Sequence, residues 1–328
     1  PAMAAADAVY ACREKAAALF DAQPEQIVFT MNATHALNIA IRTLVRPGDR
    51  VVISGFEHNA VTRPLHYLGA KTEVAGTRLF DPADTLEAFS RLLTPETKAA
   101  VCTHVSNVFG YILPLAQIAA LCRARGIPLI VDASQSAGIL PVSLRGLGAA
   151  FIAMPGHKGL YGPQGTGMLV CGRMPEPLMQ GGSGSQSALA EMPDFLPDAA
   201  EAGTHNVSGI HALAAGFDFV QSLGLGTILH HEAHLRRLLA RGLREIPGAL
   251  CFTGGAQSGV VSFLYGAEDC EQTAQRLCES GIAVRAGLHC APLAHRSAGT
   301  AQSGTVRVSF SVFNREEEVA AFLRAVKK

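Results

Sequence analysis

Met154-Pro155-Gly156-His157-Lys158-Gly159-Leu160-Tyr161-Gly162-Pro163-Gln164-Gly165-Thr166-Gly167 sets one lysine in a glycine-dense loop. Two apolar runs precede it. Leu129-Ile130-Val131-Asp132-Ala133-Ser134-Gln135 closes on an acid, and Ala149-Ala150-Phe151-Ile152-Ala153 leads into the loop. A glycine turn with a surface lysine accounts for Lys158 taken alone. It does not account for an acid closing one strand and a lysine just after the next. That arrangement suits pyridoxal phosphate (PLP): the carboxylate keeps the pyridine nitrogen protonated and the lysine forms a Schiff base. Glycines would let backbone N–H groups approach the anion.

Outward from this loop the chain alternates helical and strand-like segments. Ala4 to Phe20 has helical spacing, Ile27–Thr30 reads as a buried strand, and Ala36 to Leu44 as a helix closed by Pro47-Gly48-Asp49. Val51–Ser54, the helix from Leu115 to Arg125, and Pro128–Val131 continue the alternation. The expected fold is therefore α/β, a mainly parallel sheet with helices on both faces. Ligands of such sheets sit beyond the carboxyl ends of the strands, and His58, Asn107 and Asp132 all follow strand-like segments. Gly181–Ser187 reads as a flexible loop over the site. Gly209 to Leu239 reads as helix with a break near Gly224. Beyond it, strands at Val260–Phe263 and Val306–Phe310 with helices at Cys270–Ser280 and Glu316–Val326 imply a smaller α+β unit. The division expected is 1–221 for the large cofactor-binding domain and 222–328 for the small C-terminal one.

Composition narrows the function. Of 328 residues 48% are hydrophobic and 16% charged, with 27 Lys+Arg against 27 Asp+Glu. That supports a large core and some partner-covered surface, and gives no net charge favouring nucleic acid or anionic membrane. No apolar run reaches the roughly 18 residues of a membrane span. The start lacks the pattern of a secretory signal. The eight cysteines form no Cys-x-x-Cys pair, so no metal site is expected. They read as reduced cytoplasmic thiols, in the core except for Cys290.

Several further segments carry a resemblance. They are Asn32-Ala33-Thr34, Glu57-His58-Asn59-Ala60, Ser106-Asn107-Val108-Phe109-Gly110, Glu201-Ala202-Gly203-Thr204, Arg285-Ala286-Gly287-Leu288-His289-Cys290-Ala291-Pro292-Leu293 and Val306-Arg307-Val308-Ser309. With the aspartate and lysine segments, in this order and spacing, the chain resembles the cysteine desulfurases and selenocysteine lyases. These lie in the class V aminotransferase group of fold-type I PLP enzymes.

The resemblance implies roles. Lys158 would hold PLP and then move protons as acid and base. Asp132 would pair with the pyridinium nitrogen and His58 would stack on the ring. Gln135 would bond the phenolic oxygen, and Asn107 the incoming substrate beside the cofactor. Thr34 and His157 would bind the phosphate, with Ala33 among the cofactor-binding positions and Thr34 at a helix start suited to anions. Thr204 would reach the phosphate of a neighbouring subunit, making the enzyme a homodimer. Arg307, in an otherwise apolar strand, would clamp the substrate carboxylate, the alternative being a structural ion pair; Arg285 lies close by. Cys290 would attack the sulfur of bound cysteine, so that alanine leaves and a persulfide remains. His289 and Arg285 would supply positive potential for its thiolate. The short span between Cys290 and Arg307 resembles the family's second group, whose ordered catalytic loop implies slow turnover unless an acceptor removes the persulfide.

The chain also departs from the family. Pro155 stands where a phosphate-binding Ser or Thr is usual, Gly159 extends the His-Lys-Leu-Tyr run, and the chain opens inside the first long helix, as though a preceding segment were missing. The expectation is a cysteine desulfurase passing sulfur to an acceptor, for iron–sulfur cluster assembly or selenium metabolism. A selenocysteine or cystine lyase, a class V aminotransferase that would not need Cys290, and a non-catalytic sulfur-transfer scaffold are the alternatives.

Overall fold

A computed structural model describes residues 2–327. Seven strands form the main sheet: β1 (Ile27–Thr30), β2 (Arg50–Ser54), β3 (Lys71–Ala75), β4 (Thr97–Thr103), β5 (Leu129–Asp132), β6 (Phe151–Pro155) and β7 (Gly167–Cys171). Their order is β1-β7-β6-β5-β4-β2-β3, and only β7 runs against its neighbours. The expected mainly parallel sheet is thus present. The intervening helices are α1 (Ala2–Phe20), α2 (Ala33–Leu44), α3 (Asn59–Tyr67), α4 (Pro82–Leu92), α5 (Leu115–Ala124), α6 (Leu144–Leu147) and α7 (Val207–Leu223). Alternation along the strands explains the three layers. Val52, Ala100, Val131 and Ile152 face a core shared with Phe20, Phe89, Ile118 and Phe217. Val51, Val101, Ile130 and Phe151 face the opposite core, against Leu37, Ile41, Val61 and Leu65. Strands buried on both faces read as continuous apolar runs, which is how β5 and β6 looked in the sequence.

Helix α8 (Leu225–Arg244) leaves α7 at an 80° bend at Gly224, whose positive φ suits glycine. A second, antiparallel sheet follows, ordered β10 (Val306–Ser309), β9 (Val260–Tyr265), β8 (Ala249–Phe252). It packs on α8, α9 (Cys270–Glu279) and α11 (Glu316–Val326) through Leu235, Leu239, Phe263, Leu277 and Phe322. Short α10 (Pro292–Ser297) follows Cys290. Among the described residues no single helix is long and apolar enough to cross a membrane.

Candidate active site

A cavity of about 140 Å³ lies beyond the carboxyl ends of the parallel strands, lined among others by Asp132, Gln135, His58, Asn107, Lys158 and Thr34. Asp132 ends β5, is 3% exposed, and accepts a hydrogen bond from the Ser134 amide at 2.9 Å. It makes no ion pair among the described residues. Lys158, just beyond β6, opens into the cavity, yet enough protein surrounds its amine that desolvation pulls its pKa below the ordinary lysine value. Asp132 opposes that shift, while Arg307 and Arg285 add to it. His58 is fixed by its backbone role: it N-caps α3, its Nδ1 accepting from the Ala60 amide at 3.0 Å. Desolvation lowers its pKa, with Lys158, Arg285 and Arg63 adding to the shift and Asp132 opposing it.

The anion-binding end differs from expectation. Helix α2 begins at Ala33, so Thr34 lies in its first turn, and the cap is Asn32, whose side chain accepts from the His35 amide. The Ala33 and Thr34 amides are therefore among the unpaired donors of a helix start that opens on the cavity. Two of the glycine amides around Lys158 are already used within the loop. The Gly156 amide bonds Thr166 and the Gly162 amide bonds Gly156. A Cβ at Gly156 would lie 2.2 Å from the Thr166 hydroxyl, and one at Gly159 would lie 2.5 Å from the Ala137 carbonyl oxygen. These glycines let the lysine loop pack against its neighbours, and Gly159 fits against the turn after Asp132. His157 and Pro155 line the cavity, so no hydroxyl occupies the position of Pro155.

Arg307 on β10 reaches across from the second sheet. Its Nη1 donates to the Asn107 carbonyl at 2.8 Å, its Nε is buried without a partner, and it makes no ion pair among the described residues. The structural ion pair weighed against a ligand role is absent there. Arg285 is exposed and bridges Arg307 through the backbone. The Asn107 side chain donates to the His289 carbonyl at 2.8 Å, so its amide holds the cysteine loop. Cys290 is exposed and its carbonyl accepts from the Asn59 amide at 2.8 Å. Both His289 and Cys290 have left-handed backbone, with φ of 49° and 56°.

His289 corrects an expectation. It is buried, its Nε2 lies 3.1 Å from the Thr305 carbonyl, and burial, with Arg307 and His295 nearby, pushes its pKa down to about 3. A neutral imidazole supplies no positive charge to the thiol. Cys290 is also not the only cysteine outside the core, since Cys278 is exposed. Two expected elements lie away from the cavity. Thr204 lines a separate cavity with Thr30, Met31 and His35, and Gly181–Ser187 is tied to Gly203 and Asp198 and lines no part of the lysine cavity. Glu57 directly precedes His58. It is fully buried and accepts from Ser54 Oγ and the Thr103 amide, joining the ends of β2 and β4 behind His58. Burial raises its pKa to about 8.

The class V aminotransferase family model matches residues 1–322, and the chain belongs to that family. Within it, the probable cysteine desulfurase of Methanothermobacter thermautotrophicus is 36% identical over 330 residues, covering 94% of this chain and 80% of its own. The solved apo cysteine desulfurase of Thermococcus onnurineus NA1 is 31% identical with a TM-score of 0.88, covering 99% of this chain and 84% of its own. A cysteine desulfurase of Escherichia coli superposes at a TM-score of 0.88 with 27% identity, over 99% of this chain and 84% of its own. The fold is that of the PLP-dependent fold-type I enzymes.

Proposed function

We propose that the protein is a PLP-dependent cysteine desulfurase, converting L-cysteine to L-alanine and retaining the sulfur as a persulfide on Cys290. One observation carries this reading: a buried carboxylate without a cation, a cavity-lining lysine and a helix start with free amides share one cavity, while an arginine without an acid and an exposed cysteine meet through Asn107 at its edge. The donor set fits the cofactor. Asp132 would hold the ring nitrogen, His58 the ring face and Gln135 the phenolic oxygen. Ala33, Thr34 and His157 would hold the phosphate, in place of the hydroxyl missing at Pro155. Bound there, PLP supplies an electron sink that labilises the bonds at the substrate Cα.

The chain's own groups do the rest. Arg307 binds the substrate carboxylate, with Arg285 adding positive potential. Its unpartnered Nε and depressed pKa, from burial first and Arg285 second, match a cation awaiting an acid. The Lys158 amine, below its usual pKa, is more often unprotonated at neutral pH than a free lysine, so it is available to accept a proton, and it gives the proton back more easily. The Cys290 thiolate would bond to the substrate sulfur as the carbon–sulfur bond breaks, the bond's electron pair staying with the carbon side, which takes up a proton before alanine leaves. Residues 1–221 and 222–328 are taken as two domains, with the division just before the Gly224 break. A homodimer is proposed in which Thr204 serves the neighbouring site. Eight unpaired cysteines suit a reducing cytoplasm.

Purified protein is mixed with PLP and then with L-cysteine. An absorption band that borohydride abolishes, with the reduced cofactor on Lys158, is expected. With dithiothreitol present to reduce the persulfide, alanine and sulfide should form in equal amounts and be lost in Cys290→Ser. Absence of the band at saturating PLP overturns the enzyme reading. A band without sulfide overturns the substrate, and full activity in Cys290→Ala favours an aminotransferase.

A further inference from the structure

A second cavity of about 340 Å³ begins at Cys290 and His58 and runs outward between α2 and α3. The helices lie side by side with their N-termini together, since Thr34 and His58 share its inner end, and the Arg42 guanidinium sits 5.3 Å from the Tyr67 ring centroid at the outer end. Helical spacing builds the walls: Thr34, Asn38 and Arg42 recur every fourth residue on α2, and Arg63 and Tyr67 do so on α3. Among the described residues no carboxylate lines the cavity. Neither Arg42 nor Arg63 makes an ion pair among the described residues, and Arg42 Nε is buried with no hydrogen-bond partner. Tyr67 is 77% exposed and roofs the far end.

We propose that this groove binds the sulfur acceptor, and that the acceptor is a small thiol carrying carboxylates, its acids on Arg42 and Arg63 and its sulfur at Cys290. The proposal rests on the desulfurase reading of the same site. The volume is that of a small-molecule cleft, and paired guanidinium groups without acids match carboxylates. The α3 rise of about 1.5 Å per residue sets Arg63 one turn and the Arg42–Tyr67 pair two turns beyond Asn59, whose amide holds Cys290. The acceptor thiolate attacks the outer sulfur of the Cys290 persulfide. A new S–S bond forms, the old one breaks, and the acceptor leaves as its own persulfide. Cys290 departs as thiolate and recovers the proton that the acceptor thiol released.

The test is alkylation of Cys290 in the full-length protein by iodoacetate, an anion, and iodoacetamide, its neutral analogue, read by peptide mass spectrometry. Rates are normalised to those of 2-mercaptoethanol in free solution. A positive, acid-free cleft raises the local anion concentration about tenfold or more, so a normalised preference of that size for iodoacetate is expected. Tricarballylate should suppress it. The preference should vanish in Arg42→Gln/Arg63→Gln and survive in Arg63→Lys, while a misfolded variant would disturb the iodoacetamide rate as well. No preference in the wild type overturns the proposal. So does a preference that survives the double substitution and is lost in Arg307→Gln, which would assign it to the substrate arginine. In the PLP-loaded enzyme, 3-mercaptopropionate should outpace 2-mercaptoethanol in releasing sulfide, and equal rates would overturn the assignment of the acceptor. Alkylation needs neither cofactor nor turnover. A chain that keeps the iodoacetate preference but yields no alanine from cysteine would therefore overturn the desulfurase reading and leave the anion groove standing.

Discussion

Asn107 is the residue on which the two halves of the site meet: its side chain holds the cysteine loop and its backbone carbonyl holds Arg307. Asn107→Ala keeps the backbone contact and releases the loop. With one such hydrogen bond contributing about 1 kcal/mol, steady-state sulfide release should fall about fivefold to tenfold, while the PLP absorption band stays intact. Equal loss of PLP binding would show that Asn107 acts on the cofactor instead. Glu57 makes a pH prediction. Its pKa in the folded protein is about 8, well above the usual carboxylate value, so between those values the native state holds a proton the unfolded chain has released. Stability from this group is present at low pH and declines as pH rises toward 8. Glu57→Gln removes that decline, so denaturant melts should find the variant's stability relative to wild type improving by a few kcal/mol from pH 5 to pH 8. A difference independent of pH would mean that Glu57 is ionised in the native protein.

Among the elements, α1 is fastened to the loop before Thr204 by a buried pair: Arg13 meets both Glu201 carboxylate oxygens, and Glu201 also accepts from the Phe29 amide. Breaking such a pair from one side costs about 3–5 kcal/mol, and Arg13→Ala should show a loss of that size in urea melts. A change below 1 kcal/mol would mean the pair contributes little. Nothing in the sequence marked Arg13, because a buried ion pair between residues so far apart leaves no local pattern. The elements that were legible have strong local signals. β5 and β6 are short continuous apolar runs, and α7 and α8 are helical stretches parted by a glycine. Strand β3, Lys71-Thr72-Glu73-Val74-Ala75, was not foreseen because it is a sheet edge with mostly exposed or half-exposed side chains. Helix α2 begins three residues before the apolar run at Ala36 because the Asn32 side chain caps it by accepting from the His35 amide. The site read more clearly than its geometry. Residue types at the strand ends pointed to Asp132, Lys158 and His58, whereas the packing role of the glycines and the neutrality of His289 depend on contacts distant in sequence.

At the scale of the molecule, the two sheets are joined by side chains as well as by Arg307. Tyr161, three residues past Lys158, stacks edge-on against Phe219 of α7 and against Phe313 of the segment after β10, with centroids 5.0 Å and 5.6 Å away. Phe313 is 65% exposed, so its contribution is mainly this clasp. Aromatic pairs contribute about 0.5–1.5 kcal/mol beyond burial. Phe313→Ala should raise the KM for cysteine severalfold with little change in thermal stability, because the strand bearing Arg307 loses a tie to the lysine loop. A lowered melting temperature with unchanged KM would make the cluster purely structural.

The Cys290 loop also sets the rhythm of the whole molecule. Two successive residues with left-handed backbone, anchored through both carbonyls, make a peg rather than a swinging arm. Under the proposed function a peg delivers nothing to a distance: the sulfur it would hold is collected where it stands. Turnover should then rise in proportion to how often a collector visits, over a wide range of collector concentration, and the pace of the enzyme is set by traffic outside it.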